Sequence, residues 1–167
     1  YLIAKKLGLA PNILIGDYDS MDQPDDLNVI KLPMEKDMTD SEAAIDLAVS
    51  EGAGHITVLG GLGGRFDHTM GNMGMLAKYC GKLDHMAFVD GQNYVFMTEP
   101  GTIKIPRNRY PFLGLISYGD NAAGVTLRGV KYPLTDYHLT NTTTLGVSNE
   151  IIAKIASITF TSGKLLI

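Results

Sequence analysis

The chain has 167 residues, of which 45% are hydrophobic, a composition typical of a folded globular protein rather than a disordered one. Its 14 basic and 18 acidic residues give a net charge of −4, which disfavours a nucleic-acid or anionic-membrane surface. The single cysteine excludes an internal disulfide and a Cys-rich zinc site. Because the sequence shows neither a signal-peptide pattern nor an apolar run of the ~18 residues that a membrane span needs, we expect a soluble cytoplasmic protein.

The first ninety residues alternate between helical patterns and short apolar runs. The sequence begins with a helical pattern that ends at Gly8, and since a helix rarely opens a parallel-sheet domain, we expect a strand upstream of Tyr1. The following elements are predicted strands at 13–15, 29–32, 56–59 and 86–89, and predicted helices at 40–51 and 67–80. Strands that alternate with helices indicate a Rossmann-like, mostly parallel sheet flanked by helices.

After residue 90 the helical signal stops. Predicted strands follow at 93–98, 102–105, 112–118, 122–127 and 155–160, separated by turn signals. Several short strands at this spacing are typical of an antiparallel sandwich or barrel-like unit. We therefore predict an α/β domain over residues 1–91 and a smaller all-β domain over residues 92–167.

Gly16-Asp-Tyr-Asp-Ser20 comes directly after the first predicted strand. In open α/β sheets, ligands bind at the carboxyl ends of the strands. Asp17 and Asp19 are two positions apart in an extended segment, so their carboxylates point to one side and repel each other unless a cation lies between them. Mg²⁺ bound by these carboxylates and by phosphate oxygens would satisfy the pair, and an Asx-turn pair at the end of a strand is the alternative.

Lys36-Asp-Met-Thr-Asp40 leads into the helix predicted over 40–51. A lysine, two acids and a helix N-terminus suit a metal–phosphate cluster, because helix N-termini favour bound anions. Thr39 and Glu42 also fit a capping box, with Thr39 as the N-cap residue. Ordinary capping with solvated charges therefore explains the same residues, and both interpretations stay open.

Gly60-Gly-Leu-Gly-Gly-Arg-Phe-Asp-His68 connects a predicted strand to a predicted helix. Its four glycines let the backbone approach a phosphate closely, and Arg65 can direct its forked guanidinium at phosphate oxygens. Asp67 is a candidate metal ligand, whereas a hydrogen bond at the helix start explains His68 better than a ligand does. The segment is neither a P-loop nor a G-x-G-x-x-G fingerprint.

The polar loop from Thr140 to Glu150 interrupts the strand-like second half. Its Ser148 and Asn149 can hydrogen-bond a polar heterocycle or can build a turn, and composition does not decide between these roles. From the residues alone, the chain is interpreted as a Mg²⁺-dependent enzyme that handles phosphates and carries a β domain for an acceptor.

Four blocks occur in register along the chain, and their order and spacing are more specific than any one of them. They are Gly16-Asp-Tyr-Asp-Ser20, Asp37-Met-Thr-Asp40 with Glu42-Ala-Ala-Ile-Asp-Leu-Ala48, Leu59-Gly-Gly-Leu-Gly-Gly-Arg-Phe-Asp-His68 running to Asn72, and Leu145-Gly-Val-Ser-Asn-Glu150. Together they resemble the thiamine pyrophosphokinase family, over nearly the whole chain from about Leu9. That family begins with a strand and an Asp/Gly-containing turn, so we expect such a segment to precede Tyr1.

The resemblance implies transfer of the pyrophosphoryl group of ATP to the hydroxyethyl oxygen of thiamine, which gives thiamine pyrophosphate and AMP. It implies a catalytic Mg²⁺ site formed by Asp17, Asp19, Asp40 and Asp67, with Asp40 or Asp67 as the proton acceptor. The candidate ATP-binding residues are Lys36, Thr39, Gly61, Gly63, Gly64, Arg65 and His68. The candidate thiamine-binding residues are Ser148 and Asn149. Family members are homodimers whose active site lies between the α/β domain of one subunit and the β domain of the other.

Two alternative functions remain at this point. The block that follows the first strand also imitates a haloacid-dehalogenase-type phosphatase, in which the first aspartate is a nucleophile. Gly119-Asp120 is the only candidate for the later acidic motif of that family, and it falls in the β half with no second acid close by. The other alternative is a thiamine-binding module without catalysis.

Overall fold

The computed structural model describes residues 2–17, 28–33, 35 and 37–167. The chain forms two compact units, Tyr1–Ala53 and Gly54–Ile167. The division predicted near Gly91 stays a prediction. Within the described ranges, no helix combines the length and the apolar character that crossing a membrane requires.

The part of the first unit that the structure describes contains two helices and one pair of strands. Its elements are α1 (Leu2–Lys6), β1 (Leu14–Gly16), β2 (Val29–Lys31) and α2 (Asp40–Ser50). Strands β1 and β2 are parallel, with Gly16 opposite Lys31. Helix α2 begins after Thr39, whose Oγ1 accepts a hydrogen bond from the backbone N–H of Glu42 at 3.1 Å. The predicted N-cap is therefore confirmed.

The second unit begins with a strand–helix–strand arrangement that continues into a mixed sheet. The elements are β3 (His55–Leu59), α3 (Phe66–Tyr79), β4 (His85–Val89), β5 (Tyr94–Thr98), β6 (Gly101–Pro106), β7 (Ile116–Ser117), β8 (Ala122–Arg128), β9 (Leu134–Leu139), β10 (Ile155–Phe160) and β11 (Leu165–Leu166). One sheet has the order β3-β4-β5-β11-β7. Its β3–β4 pair is parallel, and the other pairs are antiparallel.

The fold is therefore mixed α/β, and within the described residues only the pairs β1–β2 and β3–β4 are parallel, so the predicted mostly parallel sheet is not what the structure shows. The reason lies in the connection between β4 and β5, which spans residues 90–93. A connection this short permits a hairpin but not the crossover that parallel strands need. Asp90 shapes this turn, because its Oδ1 accepts the backbone N–H groups of Gln92 and Asn93 at 2.7 and 2.6 Å.

The remaining strands form an antiparallel sheet of order β6-β10-β8-β9. The core beside it collects side chains from this sheet and from β11, among them Val125, Ile158, Phe160 and Leu165. The strand predicted over 112–118 is reduced to β7, and β9 was not predicted. Four successive residues of β9 are exposed and its pairing with β8 is irregular, so it lacks the alternation by which a half-buried strand is identified.

Candidate functional site

The first group of candidate residues lies where β1 ends and α2 begins. A Cβ built on Gly16 would lie 3.7 Å from Oδ2 of Asp40, so the end of β1 is close to the carboxylate in the first turn of α2. Asp17 is the next residue along the chain, and both aspartates have polar interactions within the fold. Two predicted ligands, Asp17 and Asp40, thus belong to one end of the same small unit.

Other predicted residues of this group have different outcomes. The Thr39 side chain caps α2, so its hydroxyl oxygen is engaged by Glu42. Asp19 and Lys36 lie outside the described residues. The proposed roles of these three residues in binding metal or ATP remain predictions.

The glycine-rich segment forms a turn between β3 and α3 that is built on left-handed backbone. Gly60, Gly61, Gly63 and Gly64 have φ angles of 87°, 75°, 85° and 70°. The turn begins beside β4, where the N–H of Gly60 donates to the carbonyl of Val89 at 2.8 Å. This conformation explains the run of glycines, because left-handed φ values strain other residues.

Two residues of α3 fix this turn, and neither was among the predicted site residues. Asn72 is buried, and its Nδ2 donates to the carbonyl of Gly61 at 2.7 Å. Thr69 accepts the N–H of Gly63 on Oγ1 at 3.2 Å. The sequence does carry a signal for both, since Arg65, Thr69 and Asn72 follow the i, i+4, i+7 spacing of one helix face.

Arg65 and Asp67 form a two-bond ion pair at the start of α3. Nε and Nη2 of Arg65 lie 3.2 and 2.6 Å from the two carboxylate oxygens of Asp67. Oδ1 of Asp67 also accepts the backbone N–H of His68 at 3.0 Å. The bond from Arg65 is the largest cause that lowers the pKa of Asp67, and it likewise raises the pKa of Arg65. Both side chains therefore stay charged at neutral pH.

The predicted thiamine residues occupy a turn in the β part of the second unit. Ser148 has a left-handed φ of 61°. Asn149 is buried, and its amide pairs with the backbone of Tyr132: Oδ1 accepts the N–H at 3.0 Å and Nδ2 donates to the carbonyl at 2.8 Å. Oδ1 also accepts the N–H of Glu150 at 2.9 Å. These contacts give Asn149 a structural role, and substrate contact by either residue stays a prediction.

Ser148 also borders a groove of about 1410 Å³ within the second unit. Aromatic rings form part of its wall, with the centroid of Tyr94 6.0 Å from that of Phe96 and 6.3 Å from that of Tyr110. Nε2 of His85 lies 2.8 Å from the Tyr94 hydroxyl. Such a wall suits a flat, partly apolar ligand, and aromatic faces also attract cations.

No group of three or more His, Cys, Asp or Glu side chains that could hold a metal ion occurs within residues 2–17, 28–33, 35 and 37–167. Asp17 and Asp40 belong to the first unit, and Asp67 belongs to the second. Carboxylate oxygens are nevertheless the ligands that Mg²⁺ takes in proteins. The donor chemistry near the end of β1 therefore fits this ion.

Comparison with known families matches both parts of the chain. Residues 1–88 match the family profile described as thiamin pyrophosphokinase, catalytic domain, and residues 101–165 match the thiamin pyrophosphokinase, vitamin B1 binding domain. The chain belongs to the thiamin pyrophosphokinase family. It is 31% identical to the thiamine pyrophosphokinase of Bacillus subtilis, over 95% of this chain and 78% of that protein. It is 28% identical to thiamin pyrophosphokinase 1 of Caenorhabditis elegans, over 84% of this chain and 63% of that protein.

Solved structures of thiamin pyrophosphokinases share the fold. The crystal structure of the Bacillus subtilis protein superposes with a TM-score of 0.91 at 30% identity, over 99% of this chain and 81% of the other. The Geobacillus thermodenitrificans protein gives a TM-score of 0.89 at 35% identity, over 99% and 80%. The resemblance expected from the four sequence blocks is thus confirmed, and the phosphatase alternative finds no support among these relatives.

Proposed function

We propose that this chain transfers the pyrophosphoryl group of ATP to the hydroxyethyl oxygen of thiamine, giving thiamine pyrophosphate and AMP. The observation that carries the proposal is the match of both family domains along one chain, in the order in which the sequence blocks occur. The relatives' names supply thiamine and the reaction. The chemical support for it comes from the turns that carry the candidate metal, ATP and thiamine residues.

Mg²⁺ is the proposed metal, with Asp17, Asp19, Asp40 and Asp67 as its candidate ligands. The proximity of the Asp40 carboxylate to Gly16 supports a carboxylate site at the end of β1. When bound, Mg²⁺ supplies charge neutralisation on the phosphate oxygens. Asp40 or Asp67 is the proposed acceptor of the thiamine hydroxyl proton, since general-base catalysis requires a carboxylate within hydrogen-bonding reach of that proton.

ATP is proposed to bind at the turn between β3 and α3, where Arg65 receives phosphate oxygens. The left-handed glycines support close approach of the backbone to phosphate. The hydrogen bonds that Asn72 donates to Gly61 and that Thr69 accepts from Gly63 support a turn that is already formed before ATP binds. Such preorganisation suits phosphoryl-type transfer, which depends on positioning and on charge stabilisation rather than on a covalent nucleophile. Lys36, Thr39 and His68 are further candidate contacts.

Thiamine is proposed to bind in the groove at Ser148. The aromatic wall around Tyr94 supports this assignment, because thiamine combines a flat pyrimidine ring with a cationic thiazolium ring. The hydroxyl of Ser148 is the candidate hydrogen-bond partner for the pyrimidine.

The enzyme is further proposed to be cytoplasmic and to form a homodimer. Exposed apolar side chains beside the groove, including Tyr94, Phe112 and Val147, support a second copy as the partner. Sedimentation analysis tests the dimer: a monomer at enzyme-assay concentrations would contradict it.

The reaction is tested by product analysis after the protein is mixed with Mg-ATP and thiamine. Equal amounts of AMP and thiamine pyrophosphate are expected. Asp17→Asn should abolish turnover, and Asp84→Asn, which removes an exposed carboxylate that precedes β4, should retain it. ADP would indicate transfer of a single phosphoryl group, and phosphate released without thiamine would indicate a phosphatase. Bound thiamine without any product would indicate a binding module.

A further inference from the structure

The Asp67 carboxylate already occupies a position that suits an anion. Three donors converge on it: Nε and Nη2 of Arg65 at 3.2 and 2.6 Å, and the backbone N–H of His68 at 3.0 Å. A forked guanidinium and a backbone N–H in the first turn of a helix are also the groups that proteins offer to phosphate. The carboxylate therefore uses donors that a phosphate oxygen of the substrate would need.

The ion pair is not what gives the glycine turn its shape. The turn is fixed by hydrogen bonds from Gly60 to Val89, from Asn72 to Gly61, and from Gly63 to Thr69. The side chains of Arg65 and Asp67, by contrast, are 73% and 65% exposed. Breaking the pair leaves the other hydrogen bonds in place, so its effect should appear in ligand binding.

We infer that Asp67 is a specificity-determining residue, which competes with metal-free phosphate for Arg65 and makes a bound divalent cation a precondition of tight binding. The inference rests on the proposed function, in which Arg65 receives phosphate oxygens and Asp67 contacts the metal. Without a cation, carboxylate and phosphate compete for one guanidinium. With a cation, the carboxylate has a second partner and Arg65 is released for the phosphate.

Calorimetric titration with inorganic pyrophosphate, first in EDTA and then with Mg²⁺, measures this competition without turnover. In EDTA, Asp67→Asn should bind pyrophosphate roughly two- to fivefold more tightly than the unchanged chain, the range that an exposed ion pair typically contributes. The asparagine keeps an oxygen for the N–H of His68. Arg65→Gln should weaken binding, and the double variant should show no gain over Arg65→Gln. With Mg²⁺, the gain from Asp67→Asn should disappear.

A net-charge effect is separated from competition by Asp84→Asn. Asp84 is an exposed carboxylate that precedes β4, whereas the glycine turn follows the opposite end of the neighbouring parallel strand. This control should bind pyrophosphate as the unchanged chain does. Circular dichroism spectra should be the same for all variants.

Each of the following results would overturn the inference: no gain from Asp67→Asn in EDTA, a gain that persists with Mg²⁺, a gain that persists when Arg65 is glutamine, or an equal gain from Asp84→Asn. If Arg65→Gln binds pyrophosphate as tightly as the unchanged chain, the inference and the proposed phosphate role of Arg65 both fail. The proposed reaction is judged separately, by whether thiamine pyrophosphate and AMP are formed.

Discussion

Replacing Gly61 with alanine tests whether the glycine turn is fixed by contact with α3. Gly61 has a φ of 75°, and a Cβ there would lie 2.9 Å from Nδ2 of Asn72 and 3.1 Å from the ring of Phe88. Left-handed backbone costs an alanine about 1–2 kcal/mol. Both neighbours are buried, so the displaced Asn72 would also lose its hydrogen bond to Gly61, at about 1–3 kcal/mol for a buried polar group. We therefore expect Gly61→Ala to lower the free energy of unfolding by about 2–5 kcal/mol.

Gly64→Ala is the matched control, because its φ is 70° but nothing lies within 4 Å of the added Cβ. It should cost only the backbone strain, about 1–2 kcal/mol, and any change in unfolded-state entropy is shared by both variants. Urea unfolding followed by circular dichroism measures both. The double variant Gly61→Ala/Asn72→Ala should lower the free energy of unfolding by less than the sum of the two single variants' effects. The reasoning is refuted if Gly61→Ala is no more destabilising than Gly64→Ala.

Three further predictions concern the β part and its groove. Asn149→Ala should lower the free energy of unfolding by about 1–3 kcal/mol in urea, because the backbone N–H and carbonyl of Tyr132 lose the hydrogen bonds that the buried Asn149 amide supplies. Ser148→Ala should raise the KM for thiamine but change the free energy of unfolding by less than about 0.5 kcal/mol, and an unchanged KM would remove Ser148 from the proposed site. Burial, and then the charge of His55, lower the pKa of His85, so the unfolded chain binds protons more readily near pH 6.5 and stability should fall as the pH falls below that value. His85→Gln should make this loss of stability at low pH smaller, as measured by acid unfolding curves. The control His138→Gln, at an exposed position, should reduce the loss less than His85→Gln does.

The elements with strong local signals were predicted well. The capping pattern at Thr39 and Glu42 located the start of α2, and the glycine run located the turn before α3. Sheet direction was harder to predict, because periodicity does not report which strands pair. The strand β5 joins β4 in antiparallel fashion only because residues 90–93 form a tight turn around Asp90. That turn was visible in the sequence but was interpreted as the boundary between domains.

The candidate site likewise shows local features that the sequence predicts and contacts between residues that it does not. Sequence blocks identify residue types, and so Arg65 and Asp67 were both predicted, but as ligands of different partners. The structure pairs them with each other, which follows from their separation by a single residue at the start of a helix. Asn72 ends the third of the four sequence blocks, yet its role depends on a contact with Gly61, eleven positions earlier. Asn72 lies among the buried residues of α3, such as Met73 and Leu76, where a polar side chain needs a hydrogen-bond partner within the protein. Applied to a glycine-rich turn, this reasoning finds the residues that hold the turn as well as those that contact its ligand.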